Sequence, residues 1–310
     1  MSDLAVSVAG MEPADVEVFF SETEPEVLVG LIERTSDADL ESLLAADHVR
    51  ETAVRTVLGR LEEFAVPERL AATEGVVRFL LRQPPRTTHA HTLHFRGGRV
   101  RPVESGGEPD VVIEMRLLDF VRLLSGGANA ALLHLGGRLV VRGDAMLALR
   151  VGGVFRVPGR EGVAVDPAAL DVAEVVRVVT GVDDGHLREV MAGGFRAVVL
   201  EEVFRRLPEF VDVERAGEHR MTIGFKITGR ADGEADRYVV VLDKGVCRVH
   251  RSGDTRRDAT IVTSGADFLK LVTGRLGTAR GLMSGRVQVK GDPAKALTFS
   301  RVIRLPGAGE

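Results

Sequence analysis

This sequence of 310 residues has little cysteine, no long apolar run and no large excess of charge of either sign, and each absence narrows its class. Cys247 is the only cysteine, which excludes a disulfide or a cysteine-based metal cluster within one chain. No apolar run approaches the roughly 18 residues of a transmembrane helix, so no membrane-spanning segment is predicted. The formal net charge of −4 is a mixture of both signs. It favours neither nucleic acid nor an acidic membrane surface as a partner.

Recognisable catalytic motifs are also missing. The sequence contains no G-x-S-x-G, no H-E-x-x-H and no G-x-x-x-x-G-K-[ST]. We therefore predict that the protein is not an enzyme and uses no cofactor. The first residues lack the basic segment and apolar run of a signal peptide, which predicts a cytoplasmic protein. Arginine outnumbers lysine, and alanine, valine and glycine are abundant, which indicates a GC-rich, bacterial gene.

What the sequence does contain is one long segment in two copies. Residues 110–159 align with residues 258–307 without a gap. The identical positions include Asp110/Asp258, Asp119/Asp267, Phe120/Phe268, Gly126/Gly274, Gly143/Gly291 and Asp144/Asp292. A period this long indicates a whole domain present twice and not a solenoid repeat.

Each copy is predicted to form a strand, a helix, a short helix, a strand and a final helix. In the second copy, the alternating and β-branched residues 259–263 indicate a half-buried strand. Ser264 and Asp267 then have the spacing of a capping box at a helix start. The first copy has Arg116 in place of Ser264, which predicts a weaker cap. Asp292, followed by a proline, marks the start of the final helix.

The duplication extends upstream into a helical region. Three apolar residues with the same helical spacing recur in both copies: Val57, Leu61 and Phe64, then Val203, Leu207 and Phe210. Two or three antiparallel strands are predicted at 75–106 and again at 218–253. We divide the chain into an N-terminal extension at 1–25, a first module at 26–159 and a second module at 160–310. The sequence does not decide whether the extension packs on the first module.

The repeated stretch resembles the sterol carrier protein 2 family in both copies. The likeness rests on ATIVTSGADFLKLVTG and MSGRVQVKGD in the second copy, and on LGGRLVVRGD in the first. The spacing G-[RK]-[LV]-x-[VI]-[RK]-G-[DN], followed by an apolar helix, is typical of this family. The resemblance implies an α+β domain in which helices cover one face of a mainly antiparallel five-stranded sheet and enclose an apolar tunnel for a lipid.

On this resemblance, the tunnel lies between the sheet and the C-terminal helix of each copy. In the first copy its predicted lining is Phe120, Leu123, Leu124, Leu133, Leu147, Leu149, Val151, Val154 and Phe155. In the second copy it is Phe268, Leu271, Val272, Leu282, Met283, Leu297, Phe299, Val302 and Ile303. Because Lys295 replaces Leu147 in the second copy, we expect the first module to bind lipid better.

Two groups of polar residues are candidates for chemistry. His89, His91 and His94 form the only histidine cluster, and on a strand His89 and His91 share a face while His94 points the other way. A solvent-facing polar sheet face is favoured over a metal site, so no metal is predicted. Asp119 and Asp267 stand beside a phenylalanine in both copies. Their position in a first helical turn is explained by capping and by the helix dipole.

These observations favour a non-enzymatic carrier of a fatty acyl chain, an acyl-CoA or a sterol-like ligand. Burying a sixteen-carbon chain at about 0.8 kcal/mol per methylene contributes about 12 kcal/mol, before the costs of association are subtracted. The alternative is an interaction or regulatory module, accessory to a separate enzyme, whose tunnel is filled by its own Phe155 and Phe299. The predicted partner is a lipid or other apolar small molecule; a homodimer or a partner enzyme is left open, and nucleic acid is not expected.

Overall fold

Two five-stranded sheets, one in each half of the chain, organise the fold. The computed structural model describes residues 4, 8, 10–83, 87–103, 107–160, 162, 163, 165, 170–251 and 256–304. The chain divides into two units, Met1–Asp166 and Pro167–Glu310. We call them unit 1 and unit 2 and describe each by itself.

Unit 1 begins with helices and continues with its sheet. The helices are α1 (Pro13–Glu22), α2 (Pro25–Arg34), α3 (Asp37–Ala45), α4 (Asp47–Gly59), a 3-10 segment at Leu61–Phe64 and α5 (Pro67–Ala71). The strands that follow are β1 (Gly75–Gln83), β2 (Thr87–Arg96), β3 (Arg99–Val103) and β4 (Val111–Arg116). The unit closes with α6 (Leu117–Leu124), α7 (Ala130–Leu135), β5 (Leu139–Gly143) and α8 (Ala145–Val154).

Unit 2 repeats this order. Its first elements are α9 (Val172–Gly181), α10 (Asp184–Ala192), α11 (Arg196–Arg206), a 3-10 segment at Leu207–Phe210 and α12 (Val213–Ala216). Next come β6 (Arg220–Thr228), β7 (Asp236–Asp243), β8 (Val246–Arg251) and β9 (Ala259–Ser264). The last elements are α13 (Gly265–Val272), α14 (Thr278–Met283), β10 (Val287–Gly291) and α15 (Pro293–Val302). The predicted succession of strand, helix, short helix, strand and helix is confirmed in both units.

Both sheets have the same mixed topology. The strand orders are β3-β2-β1-β4-β5 and β8-β7-β6-β9-β10. β1 pairs with β4, and β6 with β9, in parallel, while the other neighbours are antiparallel. After the third strand of each sheet, the chain crosses to the edge of the first strand that is not paired with the second. The fourth strand pairs there, parallel to the first strand. The predicted α+β class with mainly antiparallel sheets is confirmed.

One face of the unit 1 sheet carries the buried side chains. Directly opposite residues of β1 and β4 are buried in pairs, namely Val77 with Val111, Phe79 with Ile113, and Leu81 with Met115. The residues between them on β4 are only half-buried. Because successive side chains point to opposite faces of a strand, these pairs define one packed face. Helices α6 and α8 both contact β4.

Three of the repeated residues join the last strand to the fourth strand of each unit. The Asp110 side chain accepts a hydrogen bond from Val76 N at 2.7 Å, and its carbonyl oxygen accepts one from Asp144 N at 2.9 Å. Gly143 has a φ of 95°, and a Cβ there would collide with the Asp110 carbonyl, so only glycine fits. Asp144 then caps α8. The same roles recur at Asp258, Gly291 and Asp292.

The predicted difference in helix capping between the two copies is confirmed. In unit 2, Ser264 Oγ accepts a hydrogen bond from Asp267 N at 3.1 Å and donates one to Asp267 Oδ2 at 2.8 Å. In unit 1, Arg116 occupies the N-cap of α6 and provides no side-chain cap. The start of α6 therefore relies on other contacts.

Candidate functional site

Unit 1 contains an apolar pocket of about 140 Å³ between two groups of helices. Helices α1 to α4 supply one wall, including Phe20, Leu28, Leu40, Val49, Ala53 and Val57. The other wall comes from α6 and from the residues after α8, including Phe120, Val121, Leu124, Phe155 and Pro158. We call this the apolar pocket.

The wall of α1 to α4 follows from the apolar spacing of short helices. On α1 the buried residues Val16 and Phe20 are four apart, and on α4 so are Val49 and Ala53. Each helix thus turns one apolar stripe inward. Helices of this length are marginal alone in water, so their order depends on packing against α6 and against one another. Within the described part of residues 1–25, α1 packs against α4 in unit 1.

The size of the apolar pocket limits what it holds in this conformation. A cavity of about 150 Å³ accepts one benzene-sized group, and the apolar pocket has about 140 Å³. About six carbons therefore fit, contributing about 5 kcal/mol at 0.8 kcal/mol per buried methylene. A sixteen-carbon chain needs the pocket to widen.

Two arginines line the apolar pocket, and they differ in their contacts. Arg60 Nη1 donates to the carbonyl oxygens of Phe20 at 2.8 Å and Thr23 at 3.0 Å, while its Nη2 pairs with Glu63 at 3.1 Å. Arg60 therefore ties α1 to the end of α4. Arg156 is exposed, and within the described residues its side chain has no hydrogen bond or ion pair. Arg156 is the basic group at this pocket that remains open to a ligand.

The equivalent arginine of unit 2 is already paired. Arg156 and Arg304 are equivalent, since each donates its backbone N–H to the phenylalanine at the end of the 3-10 segment. Val66 and Asp212 are likewise equivalent. Arg304 Nε donates to Asp212 Oδ2 at 2.9 Å, whereas Val66 offers no carboxylate. Because unit 1 has Val66 where unit 2 has Asp212, Arg156 lacks this carboxylate partner.

Five aromatic rings fill the interior of unit 2 beside its sheet. Phe204 stacks on Tyr238 with centroids 3.9 Å apart and on Phe268 at 5.1 Å. Phe225 meets Phe299 at 5.9 Å. At three of these positions unit 1 has smaller side chains, with Leu58, His91 and Val151 in place of Phe204, Tyr238 and Phe299. The interior of unit 1 is therefore less occupied by aromatic rings at these positions.

The predicted tunnel residues of the first copy divide between the apolar pocket and the core. Phe120, Leu124 and Phe155 line the apolar pocket. Leu133, Leu147, Val151 and Val154 are buried in the core outside it, and Leu123 and Leu149 are half-buried. The structure therefore places the pocket on the helical side of unit 1, at the end of α8 and not along its length.

In the second copy the predicted residues divide between core and surface. Phe268, Leu271, Phe299, Val302 and Ile303 are buried, and Val272 is half-buried. Leu282, Leu297 and Met283 are 40%, 44% and 90% exposed. The expectation that these three face an interior tunnel is corrected, because α14 and α15 turn only one face inward and these residues lie on the outer face.

Sequence reasoning missed the wall formed by α1 to α4. The predicted lining residues came from the repeated segment, which begins at residue 110 in the first copy. The available signal was the apolar spacing upstream, where Val16 and Phe20 and then Leu40 and Leu44 lie four residues apart. That signal predicts a helix with a covered face, but it does not identify what the face covers.

The two aspartates that repeat beside phenylalanine have different structural roles. Asp119 is fully buried; Arg116 Nε donates to its Oδ2 at 3.1 Å, and Arg138 also pairs with it. The capping role expected of Asp119 is therefore corrected to that of an ion-pair centre, because the N-cap is an arginine that folds onto it. Asp267 does belong to the predicted capping arrangement with Ser264.

Two of the three histidines of this cluster lie on the packed face of the sheet. His89 and His91 are directly opposite the buried residues Leu81 and Phe79, and His94 is on the other face. The expected solvent-facing position is thus corrected, and burial lowers the pKa of both His89 and His91. No group of three or more potential metal ligands occurs among the described residues. Burial also raises the pKa of Cys247 to about 11, so this thiol is protonated at neutral pH.

Both units thus have the same α+β fold, and unit 1 contains an apolar pocket. The sequence profile of the SCP-2 sterol transfer family matches residues 55–156 and 201–304, about two thirds of the chain. This protein therefore belongs to that family and contains two tandem SCP2 domains. The family match supports a lipid-binding or sterol-carrier role. Among the described residues no helix is both long and apolar enough to cross a bilayer.

Curated relatives resemble parts of the chain. Hydroxysteroid dehydrogenase-like protein 2 from Danio rerio is 27% identical over 137 residues, covering 43% of this chain and 32% of the relative. Sterol carrier protein 2 from Homo sapiens is 26% identical over 117 residues, covering 37% and 21%. The Gallus gallus sterol carrier protein 2 is 27% identical over 191 residues, covering 59% and 29%. The chain spans less than a third of each of these relatives.

The solved structures that resemble this chain also match only part of it. Sterol carrier protein 2 like 2 from Aedes aegypti is 20% identical, with a TM-score of 0.29, and covers 35% of this chain and 95% of that one. The sterol carrier protein 2 of Yarrowia lipolytica, in its apo form, is 19% identical with a TM-score of 0.26, covering 41% and 93%.

Proposed function

We propose that this protein is a non-enzymatic, cytoplasmic lipid carrier that binds an apolar chain in the apolar pocket of unit 1. The observation that supports this most directly is a pocket with almost wholly apolar walls and one unpaired arginine, Arg156, within the described residues at its edge. An apolar chain gains free energy by burial there. A carboxylate at the end of that chain gains charge-assisted hydrogen bonds from the guanidinium. A fatty acid has both parts.

The preference for unit 1 over unit 2 rests on two differences between equivalent positions. Arg304 of unit 2 is paired with Asp212, so it is not available to a carboxylate without breaking that pair. Unit 2 also has aromatic rings at three positions where unit 1 has Leu58, His91 and Val151. We therefore assign the fatty acid to unit 1.

A chain longer than about six carbons requires the apolar pocket to widen, and we expect α1 to move outward. α1 packs against α4 through Val16, which is fully buried, and through Phe20. Phe20 also lines the apolar pocket. Displacing α1 therefore exposes apolar surface, which the incoming chain covers in turn. Binding of a long chain is expected to change the exposure of α1 to hydrogen exchange.

The test is titration of a fluorescent fatty acid into the full-length protein and into two matched variants. Leu124 lines the apolar pocket and Val272 is its equivalent in unit 2; both are half-buried. Leu124→Trp fills the pocket and should weaken binding about tenfold or more, because it removes roughly two or more methylene contacts. Val272→Trp should leave the dissociation constant unchanged.

Mass spectrometry of the lipid that co-purifies with the protein from its native host would identify the natural ligand. Loss of binding in Val272→Trp alone would assign the site to unit 2. Equal binding in both variants and the parent would remove the apolar pocket as the site. Circular dichroism of each variant checks that the fold is intact.

A further inference from the structure

Unit 2 has a polar cleft of about 420 Å³ that the fatty-acid site does not use. It lies where the start of α10 meets the end of α13, the following loop and α14. Four cationic side chains line it, together with one carboxylate: Lys270, Arg275, Arg280 and Arg286, with Asp184. We call this the basic cleft.

The carboxylates near the basic cleft do not balance its positive charge. Lys270 Nζ lies 2.5 Å from Asp184 Oδ2, and Arg275 Nη2 lies 3.0 Å from Asp184 Oδ1. The Lys270 hydrogen bond lowers the pKa of Asp184, so this carboxylate is ionised at neutral pH. The adjacent carboxylate, Asp267, is 3.7 Å from Arg286 Nη1. Four cations thus face two carboxylates, which leaves two positive charges.

Two of the arginines remain open to a ligand. The Arg280 side chain has no hydrogen bond or ion pair to any described residue, and it is exposed. Arg286 has carboxylate contacts only at 3.7 and 4.0 Å, longer than a hydrogen bond. A guanidinium has several N–H donors in a planar fork that matches phosphate oxygens. The Lys270 side chain, only 5% exposed, supplies a fixed charge at the base of the cleft.

Comparison with unit 1 shows that the fold does not require this charge. There, Arg122 alone pairs with Asp37 and donates to the carbonyl oxygens of Ile32 and Thr35. In unit 2 two residues do what Arg122 does in unit 1. Lys270 and Arg275 both contact Asp184, the equivalent of Asp37. The position of Arg280 is a leucine in unit 1, Leu132.

We propose that the basic cleft of unit 2 binds a phosphate-bearing anion. Its volume exceeds the needs of one phosphate and suits a pyrophosphate or a phosphorylated head group. Phosphate reaches it either as a free small molecule or on a lipid. The lipid source is relevant because Met283, at the end of α14, is 90% exposed beside the cleft.

The experiment titrates the full chain with two probes at low ionic strength. Pyrophosphate binding is measured by calorimetry, and vesicles of phosphatidylcholine with and without phosphatidylglycerol are tested by co-sedimentation. Arg280→Ala removes a charge with no structural partner among the described residues. Arg301→Ala is the matched control, because Arg301 is exposed on α15 and does not line the cleft.

Arg280→Ala is expected to raise the dissociation constant of pyrophosphate, or of the anionic vesicles, about fivefold. Arg301→Ala should change it by less than about twofold, and added salt should weaken binding in every variant. Sedimentation with anionic vesicles without pyrophosphate binding assigns the phosphate to a lipid. The proposal is wrong if neither probe binds, or if both substitutions weaken binding equally. Leu124→Trp should not change the binding of either probe. Failure of this proposal can therefore be distinguished from failure of the proposed fatty-acid site.

Discussion

The difference between Val66 and Asp212 gives a direct test of the role of Arg156. In unit 2, Asp212 both caps α12, by accepting from Arg215 N at 3.1 Å, and pairs with Arg304. Val66→Asp would transfer this arrangement to unit 1, where α5 has no side-chain cap. The new carboxylate should pair with Arg156 and compete with the carboxylate of a fatty acid.

The expected effect follows from the exposure of the pair. A hydrogen bond to a charged group is worth about 1.5 to 3 kcal/mol, but exposed ion pairs contribute only about 0.2 to 1 kcal/mol. Because Arg156 is exposed, the lower range applies, and a loss of about 1 kcal/mol raises Kd about fivefold. The stability of unit 1 should rise by about 1 kcal/mol, since an N-cap aspartate is gained.

The assay compares two ligands of the same chain length, a fatty acid and the corresponding fatty alcohol, by competition with a fluorescent probe. Val66→Asp should weaken the acid about fivefold and leave the alcohol unchanged. Val66→Asn is the control, because asparagine also caps a helix but brings no charge. If Val66→Asp changes both ligands equally, or neither, then Arg156 does not hold the head group.

Three further predictions concern stability. Asp119→Asn should lower the free energy of unfolding by about 1 to 3 kcal/mol in a urea titration, because two partly exposed arginines lose the buried carboxylate to which they donate. Asp267→Asn, at a more exposed position, should lower it by about 1 kcal/mol or less. Burial lowers the pKa of His91 in the folded state, so the unfolded state takes up the proton first. The melting temperature should therefore fall as the pH drops below about 6.5, and His91→Gln should reduce that fall; an unchanged pH profile would contradict it. Asp292→Ala removes the cap of α15 and should cost about 0.5 to 2 kcal/mol, whereas Asp292→Asn should retain most of the stability.

The local chemistry of the repeat was predictable from sequence because it depends on neighbours in the chain. The Ser264 cap and the Asp292 helix start use donors within three residues of the capping side chain. Backbone rules of this kind act over one helical turn, so spacing alone identifies them. The duplication was also readable, because both copies keep glycine and aspartate where β5 and β10 end.

The position of the apolar pocket and the partners of the polar side chains are determined only by the tertiary structure. Periodicity places Phe20 on an apolar face of α1, but only the folded unit brings it opposite Phe120, about 100 residues later in the sequence. The side chain of Asp119 fits a cap or an ion pair equally well by spacing, and Arg138, which directly precedes β5, decides between them. Contacts between residues distant in sequence depend on how helices and strands pack. No local pattern encodes which distant residue comes to lie opposite.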